Sequence, residues 1–196
     1  LRDVSFTINP GEKIAIVGAT GAGKSTTMAL FSRFYDIEHG EILIDDVPIK
    51  SMPQTWLRRN TGIMLQDPWV FTDTITENIR MRDSMISLDV VDAAAKAVGA
   101  DTFINMLPAG YDTQVSERGA NFSTGQKQLI SLARVAAFNP QIVLVMDEAT
   151  ASIDPETEAI IQAGLATVME GRTSIIIAHR LNTIRHVDRI LVFHQG

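Results

Sequence analysis

Nine consecutive residues constrain this chain more than any others: Gly18, Ala19, Thr20, Gly21, Ala22, Gly23, Lys24, Ser25 and Thr26. They satisfy the spacing G-x-x-x-x-G-K-[ST], with one glycine more than it requires. Glycines let the main chain wrap closely round a phosphate with several N–H groups pointing inward. Lys24 supplies a positive charge for β- and γ-phosphates, and the Ser25 hydroxyl is of the type that ligates Mg²⁺. The flanks agree. Ile14-Ala15-Ile16-Val17 reads as a buried strand entering the loop, and residues 26–31 read as the helix leaving it. The phosphates would then lie at a helix N-terminus, where unpaired N–H groups and the helix dipole favour anions. Residues 18–26 therefore predict binding of a nucleoside triphosphate.

Composition narrows the class. A chain of 196 residues with 45% hydrophobic and 20% charged residues is long enough for a sizeable globular core. The formal net charge of -6 argues against a broad electrostatic grip on nucleic acid or an anionic membrane. With no cysteine there is neither a disulfide framework nor a thiolate metal site. No apolar run approaches the length of a membrane span. The chain opens at Leu1 and stops just after an apolar strand, and it reads as a segment of a longer polypeptide, truncated at both ends.

In order, residues 4–8 alternate apolar and polar and predict a half-exposed strand, joined by the turn Asn9-Pro10-Gly11 to the strand at 12–17 as its antiparallel neighbour. Residues 40–44 predict another strand, closed by a turn at Asp45-Asp46. Phe34 and Tyr35 follow the loop's helix and read as packing residues, while His39, His186 and His194 read as surface or strand-end positions. A strand at 61–65 ends in Gln66. From Thr74 to about Leu107 the pattern is helical, with Thr74 and Ser87 as N-caps and Glu77 completing a capping box. Ser123 caps a helix over about 126–137. Residues 141–146 form an apolar strand that ends in Asp147-Glu148. Asp154-Pro155 opens a further helix, by an aspartate cap with proline at the first helical position. A second buried strand, 173–178, ends in His179, and residues 188–193 form the last strand.

Four strands thus deliver a polar residue where parallel sheets bind ligands, at their carboxyl ends. Asp147 is suited to hold Mg²⁺, directly or through water. Glu148, its neighbour, faces another way at a strand end, and a carboxylate there can polarise an attacking water. Gln66 can touch both metal and water, and His179 can bridge the γ-phosphate and the catalytic carboxylate. Each is weak alone; the weight lies in their occurrence together with a complete phosphate loop.

With these residues in view, the chain resembles the nucleotide-binding domain of ATP-binding-cassette (ABC) transporters over essentially its whole length. Residues 18–26 match the Walker A motif, Gln66 the Q-loop, residues 142–148 the Walker B strand with its catalytic glutamate, Ala151-Ser152-Ile153-Asp154 the D-loop, and His179 the switch histidine. Phe122-Ser123-Thr124-Gly125-Gln126 matches the signature loop. Residues 66–71, followed by 74–79, are similar to the exporter branch, and residues 114–119 look like the exporter x-loop, which touches the coupling helices of a membrane domain. Thr124 stands where the commonest signature has glycine, a change found in members that pair as asymmetric heterodimers. The adenine-stacking aromatic of the family would lie upstream of Leu1.

The resemblance implies an α/β fold: a P-loop NTPase core with a mostly parallel sheet, an N-terminal antiparallel β part and an inserted α-helical subdomain. The expected RecA-like core is about 1–72 and 138–196, and the expected helical subdomain about 73–137. It implies ATP and Mg²⁺ as ligands, with Ser25, Gln66 and Asp147 on the metal and Glu148, His179 and Gln66 in catalysis. It also implies head-to-tail pairing with a second such domain, as homodimer or heterodimer, so that Ser123, Gly125, Gln126 and Asp154 face nucleotide across the interface. Transmembrane domains would be the other partners, at the cytoplasmic face of a membrane, with no nucleic acid expected. Two further readings stay open: a soluble ABC ATPase acting on nucleic acid or the ribosome, and a regulatory half of an asymmetric heterodimer.

Overall fold

The structure is a computed structural model and describes residues 4–65, 68–147, 153–178 and 187–194. It divides into two compact units: Leu1–Ile63 with Pro140–Glu148 and Gly171–Gly196, and Met64–Asn139 with Ala149–Glu170.

The first unit is built on the apolar runs. Strands β1 (Lys13–Gly18), β5 (Ile142–Asp147), β6 (Thr173–Ala178) and β7 (Arg189–Phe193), together with β4 (Thr61–Met64), form one sheet in the order β4-β5-β6-β1-β7. β1 is parallel to β6 and to β7, and β5 is parallel to β6. Ile14, Ile16, Leu144, Ile175, Ile177 and Phe193 make its core, with Met28 from helix α1 (Lys24–Phe31). Near-continuous Val/Ile/Leu runs are what such strands need, because both faces are covered. Helix α2 (Gln54–Asn60) precedes β4. The α/β class and the parallel sheet are as expected.

The antiparallel part differs from expectation. Residues 4–8 are not a strand, because β6 and β7 occupy both edges of β1 and leave it no antiparallel neighbour. Their alternation still shows which side is inward: Phe6 and Ile8 pack against the core, and the Thr7 carbonyl accepts a hydrogen bond from Arg189. The strand expected at 40–44 shrinks to a two-residue hairpin, β2 (Leu43–Ile44) against β3 (Val47–Pro48). Its turn places Asp45 at φ 49° and Asp46 at φ 62°, the double left-handed turn that suits strand twist. Phe34 and Tyr35 do not pack; they are 59% and 70% exposed. The cause is the end of α1. Arg33 is left-handed at φ 50°, its N–H bonds the Leu30 carbonyl, and that of Phe34 bonds Ala29, which closes the helix and turns the chain outward.

The second unit is helical: α3 (Ile75–Arg80), α4 (Leu88–Ala97), α5 (Asp101–Asn105), α6 (Thr124–Phe138) and α7 (Pro155–Met169). α6 is its axis and packs against α3, α4 and α7. Ile75, Ile79, Val91, Ile104, Ile130 and Leu132 are fully buried there. Thr74 and Ser87 cap α3 and α4 as expected. The box expected at Thr74 is only half made: Thr74 accepts from the Glu77 N–H, but the Glu77 carboxylate pairs with Arg80. The Thr74 N–H is taken by Asp73 Oδ1 at 2.9 Å, which removes the need for Glu77.

Candidate nucleotide-binding site

The site is assembled at the carboxyl edge of the first unit's sheet. β1 runs out at Gly18 beside Phe193, and Asp147 ends β5 in register with Ala178 of β6. The phosphate loop and Asp147 therefore leave the sheet at the same edge. Gly18 has no room for a side chain, since a Cβ there would sit 2.3 Å from the Phe193 carbonyl oxygen. The loop folds back through a bond from the Ala22 N–H to the Ala19 carbonyl (3.1 Å) and ends at Gly23 (φ 94°), which starts α1 without a side-chain cap. A helix end of this kind keeps orphan N–H donors, which suit an anion. Lys24 is buried, and its ammonium donates to the carbonyls of Gly18 (2.9 Å) and Ala19 (3.0 Å). An ammonium has three donors, so one is left for a further acceptor. Ala19, Thr20, Gly21, Ser25 and Thr26 are exposed, and Ala22 packs into the core. Thr27, which sequence reading passed over, is buried and donates its hydroxyl to the Gly23 carbonyl at 3.0 Å.

A second group lies in the helical unit. Ser123 caps α6, accepting from the Gln126 N–H (3.2 Å), while Gln126 Oε1 accepts from the Ser123 N–H (2.9 Å). The capping box thus occurs here rather than at Thr74. Thr124 is the first residue of α6. Gly125 is buried, and a Cβ on it would lie 2.5 Å from Thr157 Cγ2 of α7. Asp154 caps α7, accepting from the Thr157 N–H at 2.9 Å. That N–H first, and the Thr157 hydroxyl second, hold its carboxyl below the usual range. Ser123, Gly125 and Gln126 are thus joined to Asp154 through one glycine–threonine contact.

Gln66, Glu148, His179 and His186, with Ala151 and Ser152 of the expected D-loop, lie outside the described residues. Asp147 is described as a strand position only. The remaining expected histidines, His39 and His194, are exposed. The structure also holds polar residues that periodicity did not flag: the fully buried Asn78, and Arg134 on α6.

A family model described as ABC transporter matches residues 1–151. The chain belongs to the ABC transporter family. An uncharacterised ABC transporter ATP-binding protein, YknV of Bacillus subtilis, is 51% identical over 196 residues. The fatty acid ABC transporter ATP-binding/permease protein of Mycobacterium bovis is 48% identical over the same length. Each match covers 100% of this chain but 32% and 31% of those proteins, so the chain spans about a third of the curated relatives' length. The solved structure of a bacterial Atm1-family ABC exporter with ATP bound superposes with a TM-score of 0.89 and 47% identity, covering 98% of this chain and 34% of that one. By sequence and fold the chain is similar to the ATP-binding part of ABC transporters. Among the described residues, no helix is long and apolar enough to cross a membrane.

Proposed function

We propose that this chain is the ATP-hydrolysing motor of an ABC exporter, working at the cytoplasmic face of a membrane with transmembrane domains as partners. The observation that carries the proposal is a phosphate loop opening α1 at the same sheet edge where β5 ends in Asp147. In this reading residues 18–26 cradle the phosphates of ATP, and Lys24 turns its remaining donor toward them. Ser25, Asp147 and Gln66 hold Mg²⁺, a hard-oxygen donor set of the kind that ion prefers. When bound, the ion neutralises charge on the β- and γ-phosphates. Glu148 accepts the proton of a water that attacks the γ-phosphorus, the bond to the β-phosphate oxygen breaks, and ADP and phosphate leave. His179 holds the γ-phosphate against Glu148. We read about 1–72 and 138–196 as the RecA-like ATPase core and about 73–137 as the helical subdomain, with Ser123, Gly125 and Gln126 of the subdomain and Asp154 of the core facing the ATP of a second domain, head to tail.

Glu148→Gln tests the reading. The variant should still bind ATP but hydrolyse it about 10²-fold or more slowly, as for loss of a general base, and should accumulate as a closed dimer. Hydrolysis at the parent rate would remove Glu148 from its role. One feature favours a second reading. Thr124 at the head of α6 is consistent with an asymmetric heterodimer in which this signature serves the weaker site. Comparing the ATPase rate of the homodimer with that of a mixed dimer separates the two.

A further inference from the structure

Among the described residues, α6 places one half-buried guanidinium against the rest of the helical unit. Arg134 Nε donates to the Asn78 carbonyl at 2.9 Å, and Nη1 donates to the Trp69 carbonyl at 3.1 Å. Its Cζ lies 5.7 Å from the centre of the Phe71 ring, within reach of a cation–π contact. Nη2 is buried without a hydrogen bond. Burial pushes the group down to about 10, so it stays charged at neutral pH. Among the described residues no carboxylate pairs with it, and a partly buried cation of this kind is not an obvious stabiliser, because an apolar side chain of similar volume often serves a core as well or better. Two carbonyls nine residues apart, held at once to the same helix, are what an apolar side chain could not supply.

The segment it grips is itself fastened. The fully buried Asn78 donates to the carbonyls of Phe71 (2.9 Å) and Thr74 (3.0 Å) and accepts from the Phe71 N–H (2.7 Å). The Val115 N–H bonds the Asp73 carbonyl at 2.8 Å, which ties the segment to the chain leading into the signature loop. On the outside, Trp69 is 57% exposed and Phe71 40% exposed. Residues 69–78 therefore form a clasp with an apolar outer surface and Arg134 as its inner bolt. Eleven residues before Arg134, about 16 Å along the helix at its standard rise, Ser123 caps the same α6.

We propose that Arg134 is a positioning residue that locks the 69–78 clasp to α6, so that a push on Trp69 and Phe71 moves the Ser123–Gly125 end of that helix as one body. The proposal rests on the reading above, in which Ser123 and Gly125 meet ATP. Packed elements transmit displacement as rigid pieces when they are over-determined, as this one is.

The test uses the full-length transporter in nanodiscs, with Arg134→Met and Arg134→Lys. Hydrogen exchange without nucleotide should rise about tenfold at the Phe71 and Asn78 amides in Arg134→Met, with the α4 amides unchanged. Its ATPase kcat should fall about tenfold, while the KM for ATP moves by less than about twofold. Arg134→Lys, which keeps the charge but not the planar fork that spans the two carbonyls, should fall between. If Arg134→Met does not fold, Phe71→Leu keeps the bulk but removes the ring, and should lower kcat about threefold. Exchange that rises throughout the helical unit would reduce Arg134 to a structural residue, and unchanged exchange at Phe71 would overturn the proposal. A raised exchange at the clasp with unaltered kcat would break the link to ATP. The exchange arm does not depend on hydrolysis, so a parent-rate Glu148→Gln would sink the functional reading and leave the clasp itself standing.

Discussion

The two glycine-containing loops of this chain are shaped by opposite means. Residues 18–26 owe their course to missing side chains and to the main chain: Gly18 against Phe193, Gly23 in a left-handed turn, and an α1 that starts uncapped. The signature loop owes its course to side chains. Ser123 and Gln126 cap each other, and Asn121 accepts from the Ser116 N–H and donates to the Gln114 carbonyl. Phe122 is buried edge-on to Phe103, with centroids 6.3 Å apart. The first loop should therefore fail when atoms are added, and the second when they are removed. Gly125 is the exception that lets the contrast be pressed.

The largest effect is expected at Gly18→Ala. The new methyl would meet a backbone oxygen that cannot rotate away, and a loss of about 3 kcal/mol is expected by chemical denaturation. An unaltered midpoint would end the claim that close approach sets this loop. Gly125→Ala should lose less, about 2 kcal/mol, because the obstacle is the tip of Thr157. Combining it with Thr157→Ser removes that methyl and should restore most of the loss, a coupling that a double-mutant cycle measures. If the paired variant folds as well as the parent yet hydrolyses ATP slowly, Gly125 has a second role at the nucleotide. Ser123→Ala should lose about 1 kcal/mol with its cap, whereas Thr20→Ala, at an exposed phosphate-loop position, should change stability by less than about 0.5 kcal/mol. Equal losses at the two positions would erase the comparison.

The smallest effect is one of pH. The carboxyls of Asp154 and Asp73 are held below their ordinary pKa, the first chiefly by the Thr157 N–H and the second chiefly by Arg82. Such groups bind protons more readily when unfolded. Their stabilisation is present above that value and drains away as pH falls through the lower folded values. Unfolding midpoints taken from pH 7 to pH 3 should fall for the parent and fall less for Asp154→Asn, since asparagine caps a helix without titrating. A parallel fall in both would show that the Asp154 charge is idle.

Much of this was legible because the signals were local. Caps at Thr74, Ser87, Ser123 and Asp154 need only a polar oxygen and the next turn of helix, and all four are found. The buried strands at 142–147 and 173–178 announce themselves by apolar runs of the right length. Signals that depend on distant partners were not legible. Alternation at residues 4–8 showed an inward face but not that both edges of β1 were taken. Glu77 suited a capping box, but Asp73 and Arg80 intervened. Arg134 lies on an amphipathic helix where a lone arginine reads as surface, and its bonds to the carbonyls of Trp69 and Asn78, more than fifty residues earlier, draw it partly inward. At the candidate site, the phosphate loop was readable from spacing, whereas the contact of Gly125 with Thr157 was not, because it joins two helices.

The place of β1 in the sheet has a consequence for how the protein is made. Its N-terminal hydrogen bond reaches Asp188, 175 positions later, and the Gly11 N–H waits for Thr173, 162 positions later. At a ribosomal rate of about 5–20 residues per second, the strand that leads into the phosphate loop stays without either neighbour for roughly ten to thirty seconds. The helical unit, whose α3, α4 and α6 meet over shorter separations, can close in that interval. Ile14 and Ile16 would thus leave the ribosome well before the strands that flank and bury them.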